Sequence, residues 1–146
     1  KNYDAEVIAV IYEIIKELDF GSFTIRISNR NIISGLIEAL DLNKHTKEIM
    51  ALIDRAEKIS EQEFSNQLEL LELGDESSNI ISRFVKISGS PDSVISNLTE
   101  ISKSLDNNQR FMLGVNELAK VSQILDAMAV SRNNFKLEVS ICQLKF

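Results

Sequence analysis

The chain has 146 residues, a formal net charge of −6 and a hydrophobic content of 44%. This length is enough for one domain with a core, or for one lobe that carries an insertion. The negative charge argues against a polyanion-binding surface over the whole chain, and no apolar run approaches the roughly 20 residues that span a bilayer. The single cysteine, Cys142, excludes an internal disulfide, and together with the single histidine, His45, it cannot supply a usual zinc site.

The first predicted element is an amphipathic helix that begins at Asn2 or Asp4 and ends before Gly21. Its expected buried stripe consists of Val7, Ile8, Ile11, Ile14, Ile15 and Leu18. A strand follows over Phe23–Ser28, because apolar and polar residues alternate there with a period of two. Ser28 or Asn29 then caps a second helix that closes near Asp41.

Helical periodicity continues over about ninety residues and predicts four or five further helices. Ser60-Glu-Gln-Glu63 is a capping box that opens one of them. Ser90-Pro91 opens another, since proline fits the first turn of a helix, where its missing donor is not needed. A turn at Ser131–Asn134 leads into a second predicted strand, Phe135–Ile141.

The two predicted strands lie near opposite ends of the chain, and neither is stable without a partner. We therefore expect them to pair, with the helices between them as an insertion. This predicts an α+β fold that is predominantly helical. Arg26 and Glu138 lie on the polar faces of the two strands, so pairing also predicts a cross-strand ion pair with a structural role.

Few residues suggest chemistry, and we expect no catalytic residue and no metal site within the chain. An acidic stretch is better explained as a solvated helix face than as a metal site; it comprises Glu61, Glu63, Glu69, Glu72, Asp75 and Glu76. A basic cluster can meet phosphates, but solvation of a helix surface is again the favoured explanation; it comprises Lys44, His45, Lys47 and Arg55. For Cys142 a buried, inert thiol is more common than a nucleophile.

Several segments, in this order, resemble the middle of a histidyl-tRNA synthetase of class II. The family follows its second class II motif with a helix similar to Asp4-Ala-Glu-Val-Ile-Ala-Val10 and a strand similar to Phe23-Thr-Ile-Arg-Ile-Ser-Asn-Arg30. A helical insertion carries segments like Ile87-Ser-Gly-Ser90 and Gly114-Val-Asn-Glu-Leu118, and the chain returns through a strand like Leu137-Glu-Val-Ser-Ile141. The resemblance covers essentially the whole chain.

The resemblance implies that residues 1–41 and 132–146 are pieces of a catalytic core with an antiparallel sheet. Residues 42–131 would then be an all-helical insertion domain that helps to hold the tRNA acceptor stem. It also implies a cytoplasmic homodimer that uses ATP with Mg to activate histidine and transfers it to tRNA, with no membrane or DNA partner. This chain would be the non-catalytic middle portion of that longer protein.

One position departs from the family pattern. The strand that resembles Leu137–Ile141 runs in the family into an Arg-Gly-Leu-Asp-Tyr-Tyr motif, whose arginine contacts the substrates, and Gln143 stands in its place here. Glutamine lacks the fixed charge that stabilises phosphate groups. Gln143 is thus the one candidate substrate-binding residue, and a regulatory or histidine-sensing subunit, as in ATP phosphoribosyltransferase, is the alternative function. A helical interaction module is a third, favoured if the two strands do not pair.

Overall fold

The computed structural model describes residues 2–19 and 21–140. The described chain contains seven α-helices, a short 3₁₀ helix and two strands. In chain order they are α1 (Asn2–Leu18), β1 (Ile25–Ile27), α2 (Arg30–Ala39), the 3₁₀ helix (Asn43–His45), α3 (Thr46–Arg55), α4 (Glu61–Glu69), α5 (Asp75–Val85), α6 (Pro91–Ser104), α7 (Gln109–Ala127) and β2 (Phe135–Leu137). The predominantly helical α+β fold is confirmed.

The two strands pair, as predicted, but they run parallel. The expectation of an antiparallel sheet does not hold for this pair, since Ile25 lies opposite Phe135 and Ile27 opposite Leu137. Parallel neighbours need a long crossover connection, and the helices from α2 to α7 provide it. Both strands are shorter than predicted, although the Glu138 amide still donates to the Ile27 carbonyl over 2.8 Å.

The closest packing in the fold is the crossing of α2 and α7, and two glycines make it possible. A Cβ atom on Gly35 would lie 2.6 Å from the Cα atom of Phe111. On the other side of the crossing, a Cβ atom on Gly114 would lie 2.8 Å from the backbone nitrogen of Ile32. These separations are too short for any side chain, so the two helix backbones touch directly.

Polar contacts extend the crossing in both directions. At the start of α2, the Asn29 side chain caps the helix by accepting from the Asn31 amide over 2.9 Å and donates to Glu117 of α7 over 2.8 Å. Towards the other end, Arg110 of α7 lies 3.9 Å from the carboxylate of Glu38. The residue order is opposite in the two helices, so α2 and α7 run in opposite directions along the contact.

The remaining helices share one hydrophobic core with this pair. The rings of Phe84 in α5 and Phe111 in α7 lie 6.5 Å apart and are both fully buried. The predicted helix starts are confirmed at Ser60 and Ser90, whose hydroxyls accept from the amides of Glu63 and Ser93 over 3.1 and 3.2 Å. Local capping signals in the sequence therefore set these boundaries correctly.

The buried stripe predicted for α1 is wrong in most of its members. Ala5, Ala9 and Tyr12 form the buried face, and Ile8 and Ile15 are half-buried at its border. Val7, Ile11, Ile14 and Leu18 are exposed. Apolar residues occupy most of the circumference of α1, and the face with small alanines is the one on which α7 can approach closely.

No helix within residues 2–19 and 21–140 has the length and hydropathy needed to cross a membrane.

The crossing predicts the effect of filling its glycine positions. Gly35→Ala and Gly114→Ala should each lower the free energy of unfolding by about 1–3 kcal/mol, because the added methyl group overpacks the α2–α7 contact. This loss is expected even though alanine favours a helix by about 1 kcal/mol over glycine. Urea unfolding of the chain measures it.

Ser96→Ala on the exposed surface of α6 is the matched control, and it should change stability by no more than about 0.5 kcal/mol. Glycine variants as stable as the control would contradict the close crossing.

Candidate functional site

The polar face of the two-stranded sheet carries a charged group that we call the strand cluster: Arg26, Glu57, Lys136 and Glu138. The predicted ion pair is present, with Arg26 Nε 3.1 Å from Glu138 Oε1. Lys136 Nζ lies 3.3 Å from the same oxygen. Glu138 is 5% exposed and thus keeps its carboxylate buried between two cations, the arrangement that a buried charge requires.

The strand cluster also reaches into the helical region. Arg26 Nη2 lies 3.0 Å from Glu57, which follows α3, so one guanidinium joins β1, β2 and the α3–α4 connection. Sequence reasoning missed Glu57, because nothing in the local pattern indicates that the end of α3 lies beside β1. A planar guanidinium with several donors suits such a three-way contact better than a lysine does.

Charge and burial act in opposite directions on Glu138. Burial by itself would raise the pKa of Glu138, but the hydrogen bond and charge of Arg26, together with Lys136, lower the pKa below the ordinary carboxyl value. The hydrogen bond that Arg26 donates to Glu138 likewise raises the pKa of Arg26 above its ordinary value. Both groups are therefore charged at neutral pH, and the strand cluster holds the two strands together.

A second polar region is the cleft at the start of α2, with a volume of about 410 Å³. It is lined by Asp4 and Ile8 of α1, Ile27 and Ser28 of the β1 end, Asn29 and Asn31 of the α2 start, and Glu117, Leu118 and Val121 of α7. Its polar side chains are carboxylates, amides and a hydroxyl, which suit hydrogen bonding to a cationic or amide group. Neither an imidazole nor a thiol lines it.

A third cavity, about 450 Å³, lies between the end of α3 and helices α4 and α5. Glu61 and Lys86 line it and form a loose ion pair, 3.6 Å long, with both side chains exposed. In the described part of the chain, no group of three or more His, Cys, Asp or Glu side chains is arranged to hold a metal ion. All six side chains of the acidic stretch are exposed, as a solvated surface requires.

The basic cluster is spread over the start and the end of α3. Lys44, Lys47 and Arg55 are exposed, His45 is half-buried, and Arg55 donates to Gln67 of α4 over 2.7 Å. Gln143 and Cys142 lie outside the described residues, so the candidate substrate-binding position stays a prediction. The sequence signals that could have revealed the close helix crossing were Gly35 and Gly114, which stand inside otherwise regular helical patterns.

Comparison with known proteins gives one consistent result. The profile of the family described as "Histidyl-tRNA synthetase" matches residues 1–143. Histidine–tRNA ligase of Trichormus variabilis is 34% identical over 142 residues, which are 97% of this chain and 31% of the relative. Histidine–tRNA ligase of Clostridium tetani is 36% identical over 140 residues, 96% of this chain and 31% of the relative.

The fold agrees with the sequence matches. The crystal structure of histidyl-tRNA synthetase from Nostoc sp. PCC 7120 superimposes with a TM-score of 0.87 at 34% identity, over 97% of this chain and 33% of that one. All of these proteins are aminoacyl-tRNA synthetases. The chain belongs to the histidyl-tRNA synthetase family, and it spans about 31% of the length of the curated relatives that it matches.

The strand cluster predicts a pH dependence of stability. A carboxyl whose pKa is lower in the folded state stabilises the fold above its unfolded pKa, about 4.3, and this contribution is lost as the pH falls through the folded value. Glu138→Gln should therefore cost about 1–2 kcal/mol at pH 7. The free energy of unfolding should also fall less steeply with acid in the variant than in the parent chain.

Urea titrations at several pH values between neutrality and acid measure both effects. Glu100→Gln is the control, because Glu100 pairs with Lys103 on an exposed helix surface and its loss should not be detectable. Parallel pH profiles for Glu138→Gln and the parent chain would show that Glu138 does not couple folding to protonation.

Proposed function

We propose that the full-length protein is a histidine–tRNA ligase that activates histidine with ATP and transfers it to tRNA. The observation that carries the proposal is the agreement of family profile and fold over almost the entire chain. Relatives named histidine–tRNA ligase match it over 96–97% of its length. A fold alone does not define an activity, but a family match over the same residues supports one.

In this proposal the chain supplies the frame of the enzyme and not its reacting groups. Residues 1–41 and 132–146 contribute two strands to the catalytic core, and residues 42–131 form the insertion domain that approaches the tRNA. The acidic residues of that insertion outnumber the basic ones. Strong binding of tRNA would thus depend on the rest of the protein, since phosphate contacts require lysine and arginine.

The cofactor, assembly and compartment follow from the same proposal. Histidine activation uses ATP, with Mg as the ion that accompanies its phosphates. We expect the ligands of that ion to come from the remainder of the protein. We propose a cytoplasmic homodimer, with histidine and tRNA as its other partners.

A second candidate function is a regulatory or histidine-sensing subunit that does not charge tRNA. The observation that favours it is Gln143 at the position where the family motif has an arginine. A neutral amide cannot replace the charge of a guanidinium beside a phosphate group. Such a subunit would bind histidine and make no adenylate.

The two functions differ in histidine-dependent exchange of pyrophosphate into ATP by the full-length protein. The ligase should catalyse this exchange and charge tRNA with histidine. Gln143→Arg should raise the exchange rate by about tenfold or more, because it restores a charge that stabilises the reacting phosphate. Lys145→Arg, which adds a guanidinium nearby without changing the net charge, is the matched control and should have no such effect.

Histidine binding without exchange in the parent protein would contradict the ligase and support the sensor. Equal exchange rates in the parent and in Gln143→Arg would show that Gln143 does not stand in for the family's arginine.

A further inference from the structure

The guanidinium of Arg26 is the point at which the two-stranded sheet meets the helices between its strands. Its Nε atom donates to Glu138 Oε1 over 3.1 Å, and its Nη2 atom donates to the two carboxylate oxygens of Glu57 over 3.2 and 3.0 Å. Glu57 lies in the turn between α3 and α4. We call α3, α4 and α5 the outer helices. One side chain of β1 therefore contacts both β2 and the outer helices.

Glu138 sets the position of the Arg26 side chain, and Glu57 binds to it where it lies. The Glu138 side chain is 6% exposed, whereas those of Arg26 and Glu57 are 48% and 55% exposed. A buried carboxylate requires a cation beside it. An ion pair between exposed side chains is usually weak, since two long side chains must be ordered to form it. Here Glu138 already orders one of them, and the planar guanidinium presents Nη2 in a fixed direction.

The packing beside Glu57 is open. Apolar side chains of the outer helices join the shared core, but apolar contacts have no preferred direction. The cavity of about 450 Å³ lies between the end of α3 and helices α4 and α5, and Glu57 is one of its lining residues. Apolar packing thus attaches the outer helices to the core, and the directional contact with Arg26 fixes their orientation relative to the strands.

We infer that Arg26 and Glu57 are positioning residues for the transfer of histidine to tRNA, because their contact holds the outer helices in one orientation relative to β1 and β2. This role rests on the proposed function, in which the outer helices belong to the insertion that approaches the tRNA and the strands belong to the catalytic core. Gln143, the candidate substrate-binding residue, follows β2 in the chain. Neither Arg26 nor Glu57 has to touch a substrate to act in this way.

Glu57→Gln in the full-length protein tests this role. The variant keeps the size of the side chain and the Arg26–Glu138 ion pair, and it removes the charge that holds Nη2. The kcat/KM for charging of tRNA should fall about fivefold, the scale of one lost ion pair, while pyrophosphate exchange, which needs no tRNA, should stay within about twofold of the parent. General electrostatics predicts the opposite sign, since removal of a negative charge favours binding of a polyanion.

Glu69→Gln is the matched control. Glu69 is exposed at the end of α4, so the variant makes the same change in charge within the outer helices and leaves the Arg26–Glu57 contact intact. It should not lower the kcat/KM for charging. Equal kcat/KM values for Glu57→Gln and Glu69→Gln would overturn the inference.

Arg26→Lys tests the other side of the contact. A lysine has a single nitrogen, so it can pair with the buried Glu138 but cannot hold Glu57 at the same time. Arg26→Lys and the double variant with Glu57→Gln should each lower the kcat/KM for charging by the same factor, about fivefold, because the second change removes a contact that is already lost. Independent effects, which multiply to about 25-fold in the double variant, would overturn the inference.

Hydrogen exchange of the full-length protein tests the contact without any assay of activity. Backbone amides of residues 56–60 should exchange faster in Glu57→Gln than in the parent and in Glu69→Gln, because this turn loses its contact with the sheet. The amides of α2 and α7 at their crossing should exchange at the same rate in all three proteins. Equal exchange of residues 56–60 in the three proteins would overturn the positioning role.

Failure of the proposed ligase and failure of this role give different results. A parent protein without pyrophosphate exchange and without charging would contradict the ligase and, with it, the role in transfer to tRNA. Hydrogen exchange then still decides whether the Arg26–Glu57 contact fixes the outer helices. A working ligase in which Glu57→Gln charges tRNA as well as Glu69→Gln does would contradict the inference and leave the proposed function intact.

Discussion

The contact on which the rest of the structure depends is the crossing of α2 and α7. Gly35 and Gly114 remove the side chains that would otherwise separate the two backbones, so Phe111 and Ile32 pack directly against them. The helix that follows β1 is thereby fixed against the helix that precedes β2. Helices that pack this closely leave no space for an additional side chain. The crossing therefore fixes the position of α2 relative to α7.

The crossing of α2 and α7 explains how two short strands that are distant in the sequence can pair. Closing a loop of over a hundred residues costs entropy, and three residue pairs in a ladder cannot offset it by themselves. The α2–α7 contact holds the helix after β1 against the helix before β2, and β1 and β2 lie side by side in parallel. Once they do, Arg26 reaches both Glu138 and Glu57 and ties the sheet to the connection after α3. The strand cluster is a consequence of the crossing and reinforces it.

This arrangement suits a supporting part of an aminoacyl-tRNA synthetase. Arg26 and Glu138 join the two strands, and the side chains of Asn29, Ser60 and Ser90 cap helices. The two cavities described above have no imidazole or thiol group in their linings. In the proposed ligase this part of the chain would position the groups that react, and positioning contributes strongly to catalysis.

The sequence by itself determined the helices, the caps at Asn29, Ser60 and Ser90, and the pairing of the strands. The side chains of Asn29, Ser60 and Ser90 accept hydrogen bonds from backbone amides two or three residues later in the chain. Because these bonds are local, the sequence pattern is enough to predict them. The Arg26–Glu138 ion pair could be predicted because the alternation of polar and apolar residues places both side chains on the polar faces of the two strands, and the strands were expected to pair.

Only the tertiary structure decided the parallel direction of the strands, the role of Glu57 and the buried face of α1. A helix with apolar residues on two sides, such as α1, has no local feature that selects one of them. The alanine face was selected because α7 can approach it closely, and that depends on the shape of the neighbouring helix.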